Sequence, residues 1–116
     1  MPSLRQLEYA VALADHLHFG DAAAAVNVTQ PGLSAQIREL ERRLGVALFE
    51  RGATGTNLTR AGEEVVGRAQ AILGAVAELE MVAAAHQGAV RGSLRIAAIP
   101  TIAPYLLPAI VDGIQT

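Results

Sequence analysis

The stretch from Thr29 to Gly45 constrains this chain more than any other. Leu33, Ile37, Leu40 and Leu44 recur at spacings of 4, 3 and 4, which puts all four on one stripe of an α-helix. Thr29 can cap the start of that helix, and Pro31 is tolerated in a first turn where its missing N–H is no loss. Gly45 supplies the stop. A helix with a single apolar stripe has to lay it on something, so the flanking segments must bring a core to it.

They do so on both sides. Leu4, Leu7, Val11 and Ala14 step by 3, 4 and 3, predicting an amphipathic helix over about residues 3–16. A short Ala-rich helix is expected from Phe19 to Val26, thin enough for another helix to pack close against it. Beyond Gly45, residues 46–51 and 56–59 read as short β-like segments, with Gly52-Ala53-Thr54-Gly55 as the turn of a hairpin. Helix, short helix, helix and hairpin, in that order, describe a winged helix-turn-helix.

Thr59 then caps a long helix with Glu63 and Glu64 near its positive end. Val65, Ala69, Ile72, Val76, Leu79 and Ala83 repeat at 4, 3, 4, 3, 4, an a/d seam of nearly three heptads suited to pairing with another helix. Gly88, Gly92 and Ser93 mark a hinge. Leu94 to Ile99 reads as a buried strand, Pro100-Thr101 as its turn, and Ile102 to Gln115 as a helix. One βα unit cannot bury a core, so residues 93–116 are expected to open a longer α/β domain. The expected division is 1–59 winged helix-turn-helix, 60–88 linker and dimerisation helix, 89–92 hinge, and 93–116 the truncated start of a regulatory domain.

Composition removes whole classes. Apolar residues make up 52% of the 116 and charged ones 17%, so the sequence is foldable and not a disordered tail. Zero Cys excludes a disulfide scaffold and any Cys-ligated metal within this stretch. No apolar run approaches a membrane span and the first residues lack a secretion signal, so a cytoplasmic location is the default. His16 and His18 face apart on a helix, with capping or packing as their expected roles. His86 reads as a helix-terminal polar residue. No nucleophile–base set and no Gly-rich phosphate loop is visible, so neither enzymatic activity nor a cofactor or metal is expected.

The net charge of −2 argues at first against nucleic acid. All nine basic residues are Arg, however, and residues 38–60 hold five of them against three Glu. The one positive segment is the striped helix plus the hairpin. In a helix-turn-helix the second helix offers polar side chains to base edges. The face opposite the stripe here shows Gln30, Pro31, Ser34, Ala35 and Arg38. Gln can pair with adenine, Ser donates or accepts, and Arg reads guanine or grips phosphate; Thr29 and the free N–H groups of the first turn suit a phosphate. The same face also fits an ordinary solvated helix surface. Glu39 is expected to pair with Arg42 or Arg43.

The run Ala22-Ala23, then Val28-Thr29-Gln30-Pro31-Gly32-Leu33-Ser34-Ala35-Gln36-Ile37-Arg38-Glu39-Leu40-Glu41, resembles the LysR-type transcriptional regulators. The likeness continues through Leu44-Gly45-Val46-Ala47-Leu48-Phe49-Glu50-Arg51 and Leu58-Thr59-Arg60-Ala61-Gly62, covering about the first 90 residues. It implies a mainly α chain: a winged helix-turn-helix, a long dimerisation linker helix, and the first βα unit of a periplasmic-binding-protein-like effector domain. Leu7 to His16, His18-Phe19 and Ile99 to Pro108 resemble in particular the family's peroxide-sensing members. In those, a Thr matching Thr101 lies in the sensing pocket and the reactive cysteines lie further along the chain. Thr101 equally suits a helix cap, and the two roles are compatible.

The resemblance implies a homodimer or homotetramer on double-stranded DNA carrying an interrupted inverted repeat, with a peroxide or small-molecule effector acting through the remaining domain. The DNA-binding set is Thr29, Gln30, Pro31, Ser34, Gln36, Arg38 and Arg51; dimerisation falls to the seam from Val65 to Ala83, and effector contact to Thr101. Two departures bear on this. Ala35 stands where many relatives carry Arg, and the wing tip, Gly52 to Asn57, is uncharged, leaving Arg51 as the wing's nearest cation. Metabolite sensing within the family, or a helical protein-interaction module without DNA binding, are the competing readings.

Overall fold

The computed structural model describes residues 1–95, with side-chain environments given through residue 87. Four helices and one hairpin follow in order: α1 (Leu4–His16), α2 (Phe19–Ala25), α3 (Gln30–Leu44), β1 (Phe49–Gly52), β2 (Gly55–Leu58) and α4 (Arg60–Arg95). By internal contacts the chain divides into two units, Met1–Val76 and Ala77–Thr116.

In the first unit each helix starts where the sequence supplies a cap. Ser3 and Gln6 form a reciprocal capping box at α1, Ser3 Oγ accepting from Gln6 N and Gln6 Oε1 accepting from Ser3 N, both at 3.1 Å. Thr29 Oγ1 accepts from Gly32 N at 3.1 Å, with Pro31 in the first turn of α3. Gly45 closes α3 in the left-handed conformation, φ 78°, and its N–H donates to Glu41 O. The turns between helices also pass through left-handed residues, Leu17 (φ 52°) and Asn27 (φ 60°).

The stripe lands as its spacing dictates. Leu33, Ile37 and Leu40 are fully buried, joined by Leu13, Ala10, Ala22 and Leu48. Ala22 and Ala23 are the buried residues of α2, and with no side chain beyond Cβ they let α2 sit close to its neighbours. Leu44, the last member of the stripe, is 36% exposed. Among the polar residues described only Gln6 is buried, and its amide is bonded at both ends.

The hairpin is antiparallel, pairing Phe49 with Leu58, Glu50 with Asn57, Arg51 with Thr56 and Gly52 with Gly55. It starts later than the β-like run suggested. The amide groups of Leu48 and Phe49 both donate to Glu41 Oε2, at 2.8 and 3.1 Å, so residues 46–48 are strapped to the end of α3 before pairing begins. Thr59 ties the hairpin's exit to its entrance: its N–H donates to Leu48 O, its hydroxyl donates to Ala47 O at 2.7 Å, and the same oxygen accepts from Gly62 N at 2.9 Å.

The long helix differs from expectation in two respects. Its apolar residues are shared between two tasks: Val66 (5% exposed) and Ala69 (1%) belong to the core, with Val65 and Leu73 packed against it, while Ile72 is 45% exposed. Ala69, read as a seam position, is therefore consumed by its own domain, because a core-facing stripe and a seam overlap along the first turns. Second, α4 runs to Arg95. It passes through residues 89–92, expected as a hinge, and through Leu94 and Arg95, expected to open a strand. Gly inside a helix costs about 1 kcal/mol and does not forbid it.

In the second unit, the described part is the remainder of α4. Leu79 (67%), Met81 (61%) and Val82 (62%) are exposed. The expected strand from Ile96 and the helix from Ile102, with Thr101 between them, lie outside the described residues.

Candidate nucleic-acid interface

Two elements, α3 with its cap and β1, supply the residues singled out from sequence. α3 exposes Gln30, Pro31 and Arg38, with Ser34 half-buried among them. Arg38 Nη2 donates to Ser34 Oγ at 3.4 Å, so the i, i+4 neighbours are coupled along one face of the helix. Thr29 caps the helix, and its hydroxyl oxygen is occupied by Gly32 N. Gln36 stands two residues from both Ser34 and Arg38, which on a helix is nearly the opposite side. Its amide oxygen accepts from Gln6 Nε2 at 3.1 Å, so Gln36 braces α3 against α1, away from the Ser34–Arg38 line.

The arginines fall into distinct environments. Arg42 and Arg43 both reach Glu39, Arg42 Nε at 3.0 Å and Arg43 Nε at 2.9 Å. The hydrogen bond from Arg42, then that from Arg43, holds the Glu39 carboxyl below its ordinary range, and Glu39 raises Arg42 in return. Arg43 also donates to the carbonyl of Met1. These two cations are committed within the protein. Among the described residues Arg51 makes no hydrogen bond or ion pair; its guanidinium instead lies over the ring of Phe19, 4.4 Å from the centroid.

Strand alternation explains the placement of Arg51. Phe49 and Arg51 are two residues apart on β1 and share a face; Phe49 is buried, so Arg51 is carried on the side that meets the helices. The first turn of α2 receives it there. That turn begins at His18, whose Nδ1 accepts from Asp21 N at 3.1 Å and lies 3.6 Å from the Asp21 carboxylate. It also lies beside Gln30: a Cβ on Gly20 would sit 3.5 Å from Gln30 Oε1.

Sequence reading missed three participants. Glu41 shows nothing in sequence beyond its charge, and it secures the entrance to the hairpin. Phe19 carries no polar atom to attract notice, although the alternation that puts Arg51 beside Phe49 points toward it. Gln6 was hidden because its partner is 30 residues away. Among the described residues no group of three or more His, Asp or Glu is placed to hold a metal ion, and no helix is long and apolar enough to cross a membrane.

Residues 4–63 match the bacterial regulatory helix-turn-helix protein, lysR family. The chain is 46% identical over 109 residues to the DNA-binding transcriptional dual regulator OxyR of Escherichia coli, covering 94% of this chain and 36% of that protein. It is 46% identical over 110 residues to a probable hydrogen peroxide-inducible genes activator of Streptomyces viridosporus, covering 95% of this chain and 35% of the relative. The HTH-type transcriptional regulator EstR of Acinetobacter baylyi is 43% identical over 115 residues, 99% of this chain and 38% of that protein. The chain thus spans little more than a third of the length of these relatives.

Among solved structures, full-length OxyR from Pseudomonas aeruginosa superposes with a TM-score of 0.69 at 41% identity, over 72% of this chain and 28% of that one. A CbnR DBD–DNA complex gives 0.69 at 34% identity, over 73% of this chain and 98% of that one.

Proposed function

The chain belongs to the lysR family of bacterial regulatory helix-turn-helix proteins, and from that premise we propose that it is the DNA-reading part of a sequence-specific, effector-responsive transcription regulator. The observation that carries this is the face of α3: Gln30 exposed one turn before a Ser34–Arg38 pair already in hydrogen-bond contact. Side chains at the start of a recognition helix reach base edges in the major groove, and Arg and Gln are suited to bidentate pairing there. Arg51, whose guanidinium N–H groups make no hydrogen bond or ion pair among the described residues, supplies a phosphate or minor-groove contact from the base of the wing, while Thr29 and Pro31 shape the helix start against the backbone. Gln36 contributes by bracing α3.

In this reading the target is double-stranded DNA with an interrupted inverted repeat, bound by a homodimer or a pair of dimers. Val65, Ile72, Val76, Leu79 and Ala83 of α4 form the pairing surface, with the regulatory domain beginning near residue 93. The protein acts in the cytoplasm without chemistry of its own. A peroxide signal is favoured over a metabolite signal by the hydrogen peroxide-inducible activators among the relatives.

Binding sites selected from fragmented genomic DNA provide the test. Arg38→Ala is expected to weaken the selected site by about 1–3 kcal/mol, roughly 5- to 150-fold, at fixed salt. Unchanged affinity in that variant removes Arg38 from the interface, and no retention of any duplex at low salt removes the DNA-binding function itself.

A further inference from the structure

We infer that Phe19 is the positioning residue for Arg51, fixing where the wing's guanidinium meets DNA. The inference rests on the DNA-binding reading above.

The geometry is specific to this pair. Phe19 is half-buried and packs against the core on which α1, α2 and α3 meet, so its ring is anchored. The guanidinium lies 4.4 Å from the ring centroid, within the range of a cation–π contact. Stacking occupies the flat face of a guanidinium and leaves its five N–H donors at the edge free. Among the described residues none of those donors is used by the protein. The contact therefore restrains the position of the cation while sparing the groups that grip phosphate.

Without the ring, Arg51 is an exposed side chain with several free torsions on a two-stranded hairpin. Its ordering would then be charged against DNA binding. With the ring, part of that ordering is complete in the free protein. The first turn of α2 also lies beside Gln30. One short helix thus sets the relation between the wing's cation and the start of the recognition helix.

A double-mutant cycle on duplex binding tests this, using Phe19→Leu, Arg51→Ala and the pair at fixed salt. Phe19→Leu is expected to weaken binding about 2- to 5-fold, the worth of an exposed cation–π contact, and to change nothing further once Arg51 is Ala. Phe19→Tyr, which keeps the ring face, is expected to restore binding. Should Phe19→Leu melt well below the wild type, Arg51→Lys replaces it: this retains the charge, loses the planar stack, and is expected to weaken binding by a similar factor. A Phe19→Leu loss of equal size with and without Arg51, or full wild-type binding in Arg51→Lys, overturns the inference while leaving the DNA-binding reading intact. Failure of the wild type to bind duplex overturns both.

Discussion

Gly62 stands in the first turn of α4 directly against the segment that enters the hairpin. A Cβ at this position would sit 2.0 Å from Leu48 O, 2.9 Å from Leu48 C and 3.0 Å from a Leu58 methyl carbon. Since Cβ atoms essentially never come within 3.0 Å of another atom, Gly62→Ala requires a displacement of about 1 Å. The obstructing atom is a backbone carbonyl that already accepts from Thr59 N at 3.0 Å, and the Leu48 side chain is fully buried. Relief therefore costs packing, about 1–3 kcal/mol, and weakens one hydrogen bond, worth about 1 kcal/mol. Against this, Ala in a helix gains about 1 kcal/mol over Gly.

The net expectation is destabilisation by about 1–3 kcal/mol, which lowers Tm by roughly 5–20 °C in a domain of this size. Gly74→Ala is the control. Nothing lies within 4 Å of its Cβ position, and it falls two residues from Ile72, off the seam. It should gain about 0.5–1 kcal/mol and melt a few degrees higher. Both are read by thermal unfolding in far-ultraviolet circular dichroism at one protein concentration. A Gly62→Ala protein melting at or above the wild type, in step with Gly74→Ala, would refute the close-approach argument.

Two further outcomes are expected of the carboxylates on α3. Glu41→Ala leaves the amides of Leu48 and Phe49 without their acceptor, at about 1–2 kcal/mol because water can partly replace it. Hydrogen exchange should speed up at those two amides, with Glu41→Gln retaining most of the protection. For Glu39, the folded carboxyl is held below its ordinary value near 4.5 by Arg42 and Arg43. Its contribution is fully present above that value and is lost as pH falls through the depressed one. Denaturant midpoints of wild type and Glu39→Gln should accordingly differ most near neutral pH and converge as the solution becomes acidic; a constant gap from pH 7 to pH 3 would contradict the pairing.

What could be read in advance divides by the range of the interaction. Helix boundaries follow from local signals, so Thr29, Pro31 and Gly45 place α3, and the spacing of Leu33, Ile37 and Leu40 names its buried face. Glu41 acts on Leu48 and Phe49, and the Gln6 amide nitrogen on Gln36, at separations of seven or more positions that no periodicity encodes. The seam on α4 was ambiguous for another reason. Val65, Val66, Ala69 and Ile72 satisfy a core-facing stripe and a partner-facing one equally well in sequence, and only the packed neighbours divide them. Residues 89–92 illustrate the weakness of Gly as punctuation: it lowers helix stability without ending the helix. For the polar face, helical spacing placed Gln30, Ser34 and Arg38 opposite the buried stripe, but separating Arg51 from Arg42 and Arg43 required seeing which cations already had ion-pair partners.

The bonds that join Thr59 to residues 47 and 48, and the close approach of Gly62 to Leu48, have a mechanical meaning as well. A helix joined to a domain through a flexible loop can turn without moving what precedes it. Here the first turn of α4 is held by a main-chain hydrogen bond, a side-chain hydrogen bond and a contact too close to admit one methyl group. Glu41 fastens Leu48 and Phe49 to α3. Torque applied to the start of α4 is therefore delivered to the wing and the recognition helix together, and the three elements turn as one stiff lever.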